Sequence, residues 1–166
     1  FIKEIIDFSR NTRQEVRQEE FNLLNFIKEI VDDLKFAEGM EQIYVRLDIA
    51  PDLAIISDTT RLKVVLNNLI GNAFKYHDSQ KEQPEVYIKA QVEEPMIRID
   101  IEDNGLGIAT EHQSKVFEMF YRASEKSQGS GLGLYIVQET LAKLKGAIQL
   151  RSTVYKGSTF SVWLPN

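Results

Sequence analysis

The segment Ile97–Asp103 most constrains the fold, because its apolar and charged residues alternate and the alternation ends on a carboxylate. A two-residue repeat is typical of a strand with one buried face. Asp103 is in phase with the apolar residues, so its side chain is predicted to point to the inner side of a sheet. An ionised carboxylate is costly there unless hydrogen-bond donors surround it. Gly105 and Gly107 follow at once and allow a close backbone approach, so the sequence predicts a small-molecule pocket here.

The overall composition excludes several classes of protein. A length of 166 residues is enough for one domain with a real core and for a short appendage. The net charge of −5, without a clustered basic stripe, argues against a nucleic-acid partner. The absence of cysteine excludes a disulfide framework and a thiolate metal site. No apolar run approaches the roughly 20 residues that span a bilayer, which argues against direct membrane contact. Because the sequence starts without methionine and within an amphipathic pattern, we expect a piece of a longer protein.

The order of periodic segments predicts a two-layer α/β (α+β) sandwich with one helical face. Asn22 is expected to cap the second helix, which ends at Gly39. Ser57 or Asp58 is expected to cap the third, which runs to about Tyr76. Thr110 is expected to cap a short helix that ends near Phe120. The remaining predicted helices are 1 to about 19 and 131–145, and the predicted strands are 43–49, 53–56, 86–92, 97–103, 148–154 and 158–164.

The helix that starts at Asp58 carries an unusual polar face beside its apolar stripe. Arg61, Asn68, Asn72 and Lys75 align on this face. Asparagine is a mediocre helix former, so a face that is merely solvated would favour glutamate, lysine or glutamine. The amide oxygen is a suitable hard ligand for Mg²⁺, and a lysine can reach an anionic oxygen. The face predicts a site for a Mg²⁺–polyphosphate group, with an ordinary solvated face as the alternative.

Two further features indicate a nucleotide. The glycine-rich segment 129–134 opens the next helix, and a helix N-terminus binds phosphate through its backbone N–H groups, although such turns are common. Arg122 and Lys126 precede it and could close over phosphates or simply be exposed charges. An ionised Asp103 only accepts hydrogen bonds, so it would prefer the adenine amine to the guanine carbonyl, unless it caps the strand end. For His77 and His112 we expect ordinary surface roles.

The motifs resemble, in order, those of the catalytic ATP-binding domain of bacterial two-component sensor histidine kinases. The resemblance covers the chain from about residue 21 to its end. Its parts are an asparagine box (66–76), a first glycine box (103–108), a phenylalanine box (116–122), a second glycine box (129–134) and a final glycine–serine element (157–160). It implies the Bergerat (GHKL) fold, with a mixed, mostly antiparallel sheet of about five strands under about three helices. It also implies two parts: residues 1–20, the end of a dimerisation and phosphoacceptor helix, and the catalytic domain 21–166.

The resemblance also implies the roles of individual residues toward ATP and Mg²⁺. Asn72 would hold the metal, Asn68 would lie one turn earlier, and Lys75 would meet phosphate; these three form the implied catalytic set. Tyr76 would pack on the adenine, Asp103 would bind its amine, and residues from about 109 to 130 would form a lid. The other implied ATP-binding residues are Gly105, Gly107, Ile108, Phe120, Arg122, Gly129, Ser130, Gly131, Leu132, Gly133, Leu134 and Ser158.

The implied function is transfer of the ATP γ-phosphate to a histidine on a separate helical domain, for relay to an aspartate of a response regulator. Neither His77 nor His112 matches the family's phosphoacceptor, so no autophosphorylation is expected from this chain alone. We expect a cytoplasmic domain of a dimeric parent; whether the parent is membrane-anchored and whether this chain is monomeric stay open. Related ATP-hydrolysing enzymes place a glutamate base where this chain has Asn68, which favours transfer over hydrolysis. A non-catalytic nucleotide-binding module is the other alternative.

Overall fold

The computed structural model describes residues 2–123 and 129–166. Its helices are α1 (Ile2–Arg13), α2 (Leu23–Glu38), α3 (Thr59–Lys75), α4 (Thr110–Gln113) and α5 (Gly133–Lys143). Its strands are β1 (Glu19–Asn22), β2 (Tyr44–Asp48), β3 (Ala54–Ser57), β4 (Glu85–Glu93), β5 (Met96–Asp103), β6 (Ala147–Thr153) and β7 (Gly157–Pro165).

The main sheet has five strands in the order β2-β4-β5-β7-β6. Strands β2 and β4 are parallel, and the other three pairs are antiparallel. This confirms the mixed, mostly antiparallel sheet of about five strands. The register places Asp103 opposite Val86 on β4 and Ser158 on β7. The end of β5 therefore lies between two neighbouring strands, which fixes the position of the Asp103 backbone.

Helices α2, α3 and α5 pack on one face of this sheet and enclose the core. The apolar stripe of α3 is buried, as its helical spacing predicts. The inward side chains of the strands complete the same cluster. Each large apolar side chain that is fully buried stabilises the fold by roughly 1.5–3 kcal/mol. The core side chains of α3 and the central strands include Leu62, Val65, Leu66, Leu69, Ile70, Phe74, Ile88, Ile97, Ile99, Ile101, Val162 and Leu164.

Two predicted N-cap residues and one predicted helix-ending glycine are confirmed. The Asn22 Oδ1 accepts a hydrogen bond from the Asn25 N–H at 2.9 Å, and the Asp58 Oδ1 accepts one from the Arg61 N–H at 3.1 Å. Gly39 ends α2 in the left-handed conformation, with φ of 65°. Side-chain caps of this kind typically contribute about 1 kcal/mol each.

The N-terminal region differs from the prediction. Helix α1 ends at Arg13 instead of near residue 19, and the following β1 pairs with β3 in a separate two-stranded ladder. Arg61 lies on α3 as its spacing predicts, but its side chain is not part of an exposed polar face. Its side chain is buried, pairs with Asp58 and donates to backbone carbonyls that follow or end α1. Those carbonyls belong to Asn11, Gln14 and Glu15.

The region around the second glycine box also differs. Helix α4 covers only Thr110–Gln113, and Thr110 is its first residue rather than its cap. Three-residue turns follow, since the N–H groups of Lys115 and Glu118 donate to carbonyls three residues earlier. Helix α5 begins at Gly133, two residues later than expected. It ends at Lys143, two residues earlier than expected, and Lys145 follows in the left-handed conformation, at φ of 61°.

Candidate functional site

A cavity of about 350 Å³ lies where α3, the loop after β5 and the N-terminus of α5 meet. This volume is within the usual range of ligand pockets. Fourteen of the residues implied by the sequence line it. They are Asn68, Asn72, Lys75, Tyr76, Asp103, Gly107, Ile108, Arg122, Gly129, Ser130, Gly131, Gly133, Leu134 and Ser158.

The carboxylate of Asp103 is fixed by backbone donors. Its Oδ1 accepts hydrogen bonds from the Gly105 N–H at 2.9 Å and the Ser158 N–H at 3.3 Å. Burial raises the pKa of Asp103 to about 6, although these two N–H groups and the charge of Lys81 oppose that shift. Near neutral pH the side chain is mainly an ionised acceptor, held in one orientation inside the cavity.

Hydrogen bonds join the first glycine box to the end of α3 and to the start of β4. The Leu106 N–H donates to the carbonyl of Tyr76 at 3.0 Å, and a Cβ at Gly105 would lie 2.4 Å from that carbonyl oxygen. Gly105 therefore permits contact between this loop and the end of α3, and it does not itself line the cavity. Asn104 accepts from the Glu85 N–H and donates to the carbonyl of Gln83, which fixes the loop to β4 and the segment before it.

The opposite side of the first glycine box is held by a pair of serines. The Ile108 N–H donates to the Ser152 Oγ at 2.7 Å, and this hydroxyl lies 2.7 Å from that of Ser158. Ser158 is buried. Its N–H donates to Asp103 and its hydroxyl contacts Ser152, so both groups help to hold the wall of the cavity. The cavity wall at Asp103 and Ile108 is therefore built almost wholly from the sheet and its backbone.

The polar face of α3 supplies amides and one cation. Asn68, Asn72 and Lys75 follow at helical spacing and all face the cavity. The Asn68 Nδ2 donates to the carbonyl of Val64 at 2.8 Å, which leaves its oxygen toward α5. A Cβ at Gly133 would lie 2.9 Å from that oxygen, so the glycine lets α5 begin directly beside Asn68.

The second glycine box is joined to the end of the phenylalanine box. The Phe120 N–H donates to the Gly131 carbonyl at 3.0 Å, and both residues have left-handed backbones, with φ of 64° and 76°. The Ser130 Oγ accepts from the Leu132 N–H at 3.3 Å and donates to Glu4 Oε2 at 2.7 Å. One turn of chain at the N-terminus of α5 therefore contacts both the end of the phenylalanine box and helix α1.

The sequence and the fold both match known proteins. Residues 57–166 match the family described as histidine kinase-, DNA gyrase B-, and HSP90-like ATPase. The chain belongs to this ATPase family. It is 34% identical over 170 residues to the sensor-like histidine kinase SenX3 of Mycobacterium bovis, and 29% identical over 171 residues to the sensor histidine kinase AtsR of Burkholderia thailandensis.

These relatives are longer proteins: the match covers 99% of this chain but 41% of SenX3 and 28% of AtsR. Among solved structures, the catalytic domain of histidine kinase ThkA is 27% identical, with a TM-score of 0.76 over 90% of this chain and 95% of ThkA. The predicted resemblance to the catalytic ATP-binding domain of sensor histidine kinases is confirmed, as is the fold.

Three residues implied by the family boxes lie away from the cavity surface. Leu132 is buried under the start of α5, Phe120 is exposed, and Gly105 contacts Tyr76 instead. Lys126 and the rest of residues 124–128, which belong to the predicted lid, lie outside the described residues.

Six lining residues were not among the predicted ATP-binding residues. They are Glu4, Leu106, Val116, Tyr121, Ala123 and Phe160. Leu106, Val116, Tyr121 and Phe160 lie inside the family boxes, and Ala123 directly follows one, so taking each box as a whole would have found nearly all of them. Glu4 has no such signal, since its contact with Ser130 joins residues 126 positions apart.

The histidines have more contacts than the sequence suggested. The His77 Nδ1 lies 2.7 Å from the carbonyl of Phe74 at the end of α3. The half-buried His112 contacts the Tyr121 hydroxyl through Nδ1 at 2.5 Å. Within the described residues, no group of three acidic, histidine or cysteine side chains could hold a metal ion, and no helix has the length and apolarity to cross a bilayer.

Proposed function

We propose that this chain binds Mg²⁺–ATP and presents its γ-phosphate to a histidine imidazole on a separate helical domain. The phosphoryl group would then pass to an aspartate of a response regulator. The observation that carries the proposal is the Asp103 carboxylate, held by two backbone donors in a cavity that also contains amides, a lysine and a helix N-terminus. This combination matches a purine with an exocyclic amine joined to a polyphosphate.

Recognition of the base would depend on Asp103. Both backbone donors bind the same oxygen, Oδ1, so Oδ2 is the natural acceptor for the 6-amino group of adenine. Guanine offers a carbonyl at the equivalent position, and an oxygen facing the ionised carboxylate would be repelled. Tyr76 and Ile108 also line the cavity and would supply apolar contact to the ring.

The phosphates would lie against α3 and the start of α5. The first N–H groups of a helix have no partner within it, and those of α5 open beside Gly131 and Gly133 on the cavity. Lys75 and Arg122 add positive charge at the cavity wall. These groups would orient the triphosphate chain, and positioning together with charge neutralisation carries most of phosphoryl transfer.

The residues present fit a metal that arrives with the nucleotide. Asn72 offers one neutral oxygen, and the described residues contain no cluster of acidic side chains that would hold Mg²⁺ alone. When bound, Mg²⁺ would neutralise charge on the phosphate oxygens. Asn72 is therefore proposed as the protein ligand and the phosphates as the others.

Transfer is favoured over hydrolysis by the residue one turn before Asn72. A general base in this position would have to accept a proton from water, and the amide of Asn68 cannot do so near neutral pH. Its Nδ2 is moreover bonded to the carbonyl of Val64. A nucleophilic imidazole needs no such base. Steady ATP hydrolysis that Asn68→Ala abolishes would reverse this preference.

The partners follow from the same reaction. They are the phosphoacceptor domain of the parent kinase, which we infer to be a homodimer, and the receiver domain of a response regulator. SenX3 and AtsR are named as histidine kinases, which supports this reading for the longer protein. Because the reaction consumes ATP, we place this domain in the cytoplasm. The acidic composition argues against a nucleic-acid partner.

Calorimetric titration of the chain with a non-hydrolysable ATP analogue tests the proposal. We expect Mg²⁺-dependent binding, and none of comparable strength with the guanine analogue. Asp103→Asn should weaken the adenine nucleotide about 30-fold, because a charge-assisted hydrogen bond is replaced by an amide N–H₂ facing another donor. Unchanged affinity in that variant would remove Asp103 from the site. Absence of binding at millimolar nucleotide would refute the proposed function.

A further inference from the structure

We propose that His112 is a positioning residue, which holds the Tyr121 side chain in place for the nucleotide. This inference rests on the proposed function. Tyr121 lines the cavity directly before Arg122, and its hydroxyl lies 2.5 Å from the Nδ1 of His112 on α4. The centroids of the two rings lie 6.0 Å apart, and the ring planes are tilted by 46°.

Although α4 is short, side-chain hydrogen bonds fix its position. The Gln113 side chain donates to the carbonyl of Ile108 at 2.8 Å and to that of Ser152 at 2.9 Å. Ser152 in turn accepts from the Ile108 N–H. These bonds fasten the last residue of α4 and the loop before the helix to strand β6, so the main sheet positions His112.

Backbone hydrogen bonds hold the segment that carries Tyr121. Phe120, directly before it, has a left-handed backbone that is unfavourable for a residue with a bulky side chain. Its N–H donates to Gly131, and the Tyr121 N–H donates to Glu118 at 3.2 Å. These bonds fix the backbone, whereas the contact with His112 fixes where the ring and its hydroxyl lie.

The hydrogen bond would act on affinity by pre-organising the cavity wall. A tyrosine that is already ordered loses less freedom when a ligand binds against it than one that rotates freely. A single neutral hydrogen bond typically makes a difference of about fivefold in an equilibrium constant. His112 would influence the nucleotide only through Tyr121, because His112 itself does not line the cavity.

The test compares His112→Leu, which removes the ring nitrogens, with His112→Asn, whose side-chain amide places a polar atom near the Nδ1 position. Tyr121→Phe and the double variant His112→Leu/Tyr121→Phe complete a double-mutant cycle. The measurement is calorimetric affinity for the Mg²⁺–ATP analogue, with the thermal midpoint of each variant as a check that it is folded.

We expect about fivefold weaker binding for His112→Leu, the same loss for Tyr121→Phe, no further loss in the double variant, and recovery to within twofold in His112→Asn. Unchanged or tighter binding by His112→Leu would overturn the proposal, as would additive losses in the double variant or no recovery in His112→Asn. If the wild-type chain binds no nucleotide, it is the proposed function that has failed, and this inference with it.

Discussion

The two walls of the cavity are built in different ways. The sheet wall, formed by Asp103, Ile108 and Ser158, is held by hydrogen bonds between neighbouring strands and their adjacent loop. The loop wall, formed by Glu4, Ser130 and the glycines beside it, joins a helix near the N-terminus to the start of α5. The sheet wall therefore needs only correct strand register and the loop that follows β5, whereas the loop wall needs helix α1 and the start of α5 to be held together.

The largest expected effect comes from weakening the contacts that hold α1, because α1 belongs to the loop wall and not to the sheet wall. Arg61→Met would leave Asp58 as a buried charge without its partner and would remove donors from the carbonyls of Asn11 and Gln14. Loss of one partner from a buried ion pair typically costs 3–5 kcal/mol. We expect a loss of about 3 kcal/mol in the free energy of unfolding, measured by chemical denaturation.

Arg61→Lys is the matched control, because it keeps the charge but not the planar fork of donors, and should lose less stability. Adenosine, followed by NMR titration, should bind the folded Arg61→Met protein as it binds the wild type, because the sheet wall does not involve α1. A weakened adenosine complex in that variant would show that the two walls are not independent.

The ionisation of Asp103 tests the sheet wall alone. Burial raises its pKa from about 3.8 to about 6, so between these values the folded protein binds more protons than the unfolded chain. The free energy of unfolding should therefore fall as pH rises from about 4 to 6 and then level off, by a total of about 3 kcal/mol. Asp103→Asn lacks this group, so its stability relative to the wild type should increase by that amount over the same range.

Comparison with this variant isolates Asp103 from other carboxylates. The pKa of Asp58 would be raised by burial alone, but N–H donors from Arg61 and Arg17 and the Arg61 guanidinium bring it below its ordinary value. Its contribution to stability is lost as pH falls, which is the opposite sign, and it is the same in both proteins. The free energy of unfolding is measured for both proteins between pH 4 and 8. A difference between wild type and variant that is the same at every pH would contradict the raised pKa of Asp103.

The sheet wall was accessible to sequence reasoning because its determinants are local. The alternation before Asp103 and the glycines after it predicted both the strand and the pocket. The register of β5 with β4 and β7 places Asp103 at the end of a central strand, as expected. The two-layer sandwich with one helical face was predicted for the same reason, since binary pattern fixes which side of each element is buried. The number of strands in the main sheet was implied by the family resemblance.

The missed features depend on tertiary contacts. Strand β1 forms because β3 pairs with it, and helix α1 stops where Arg61 binds its carbonyls, whereas the local pattern alone favoured a longer helix. Arg61 was assigned to the polar face of α3 by its spacing, and only the packing of α1 shows that it is buried. The contact of Glu4 with Ser130 likewise has no local signature.

The α3 face distinguishes the phosphate-binding groups from the base-binding ones. Asn72→Ala should weaken the Mg²⁺–ATP analogue about 10-fold, since one metal ligand is lost, and should leave adenosine affinity unchanged. Alanine is the better helix former, so the helix itself should not suffer. Calorimetry with and without Mg²⁺ checks this: affinity that falls equally under both conditions would contradict a role in metal binding.

The smallest expected effect comes from Glu4, whose carboxylate lies on the loop wall close to where phosphates are proposed to bind. Glu4→Gln keeps an acceptor for the Ser130 hydroxyl but removes a negative charge. Because Glu4 is exposed, its repulsion of the triphosphate is screened by water and salt. We expect about threefold tighter binding of the ATP analogue at low ionic strength, little change at 0.5 M salt, and no change for adenosine. Weaker binding would instead mean that Glu4 supports the loop wall through Ser130, and the two walls would then cooperate in holding the nucleotide.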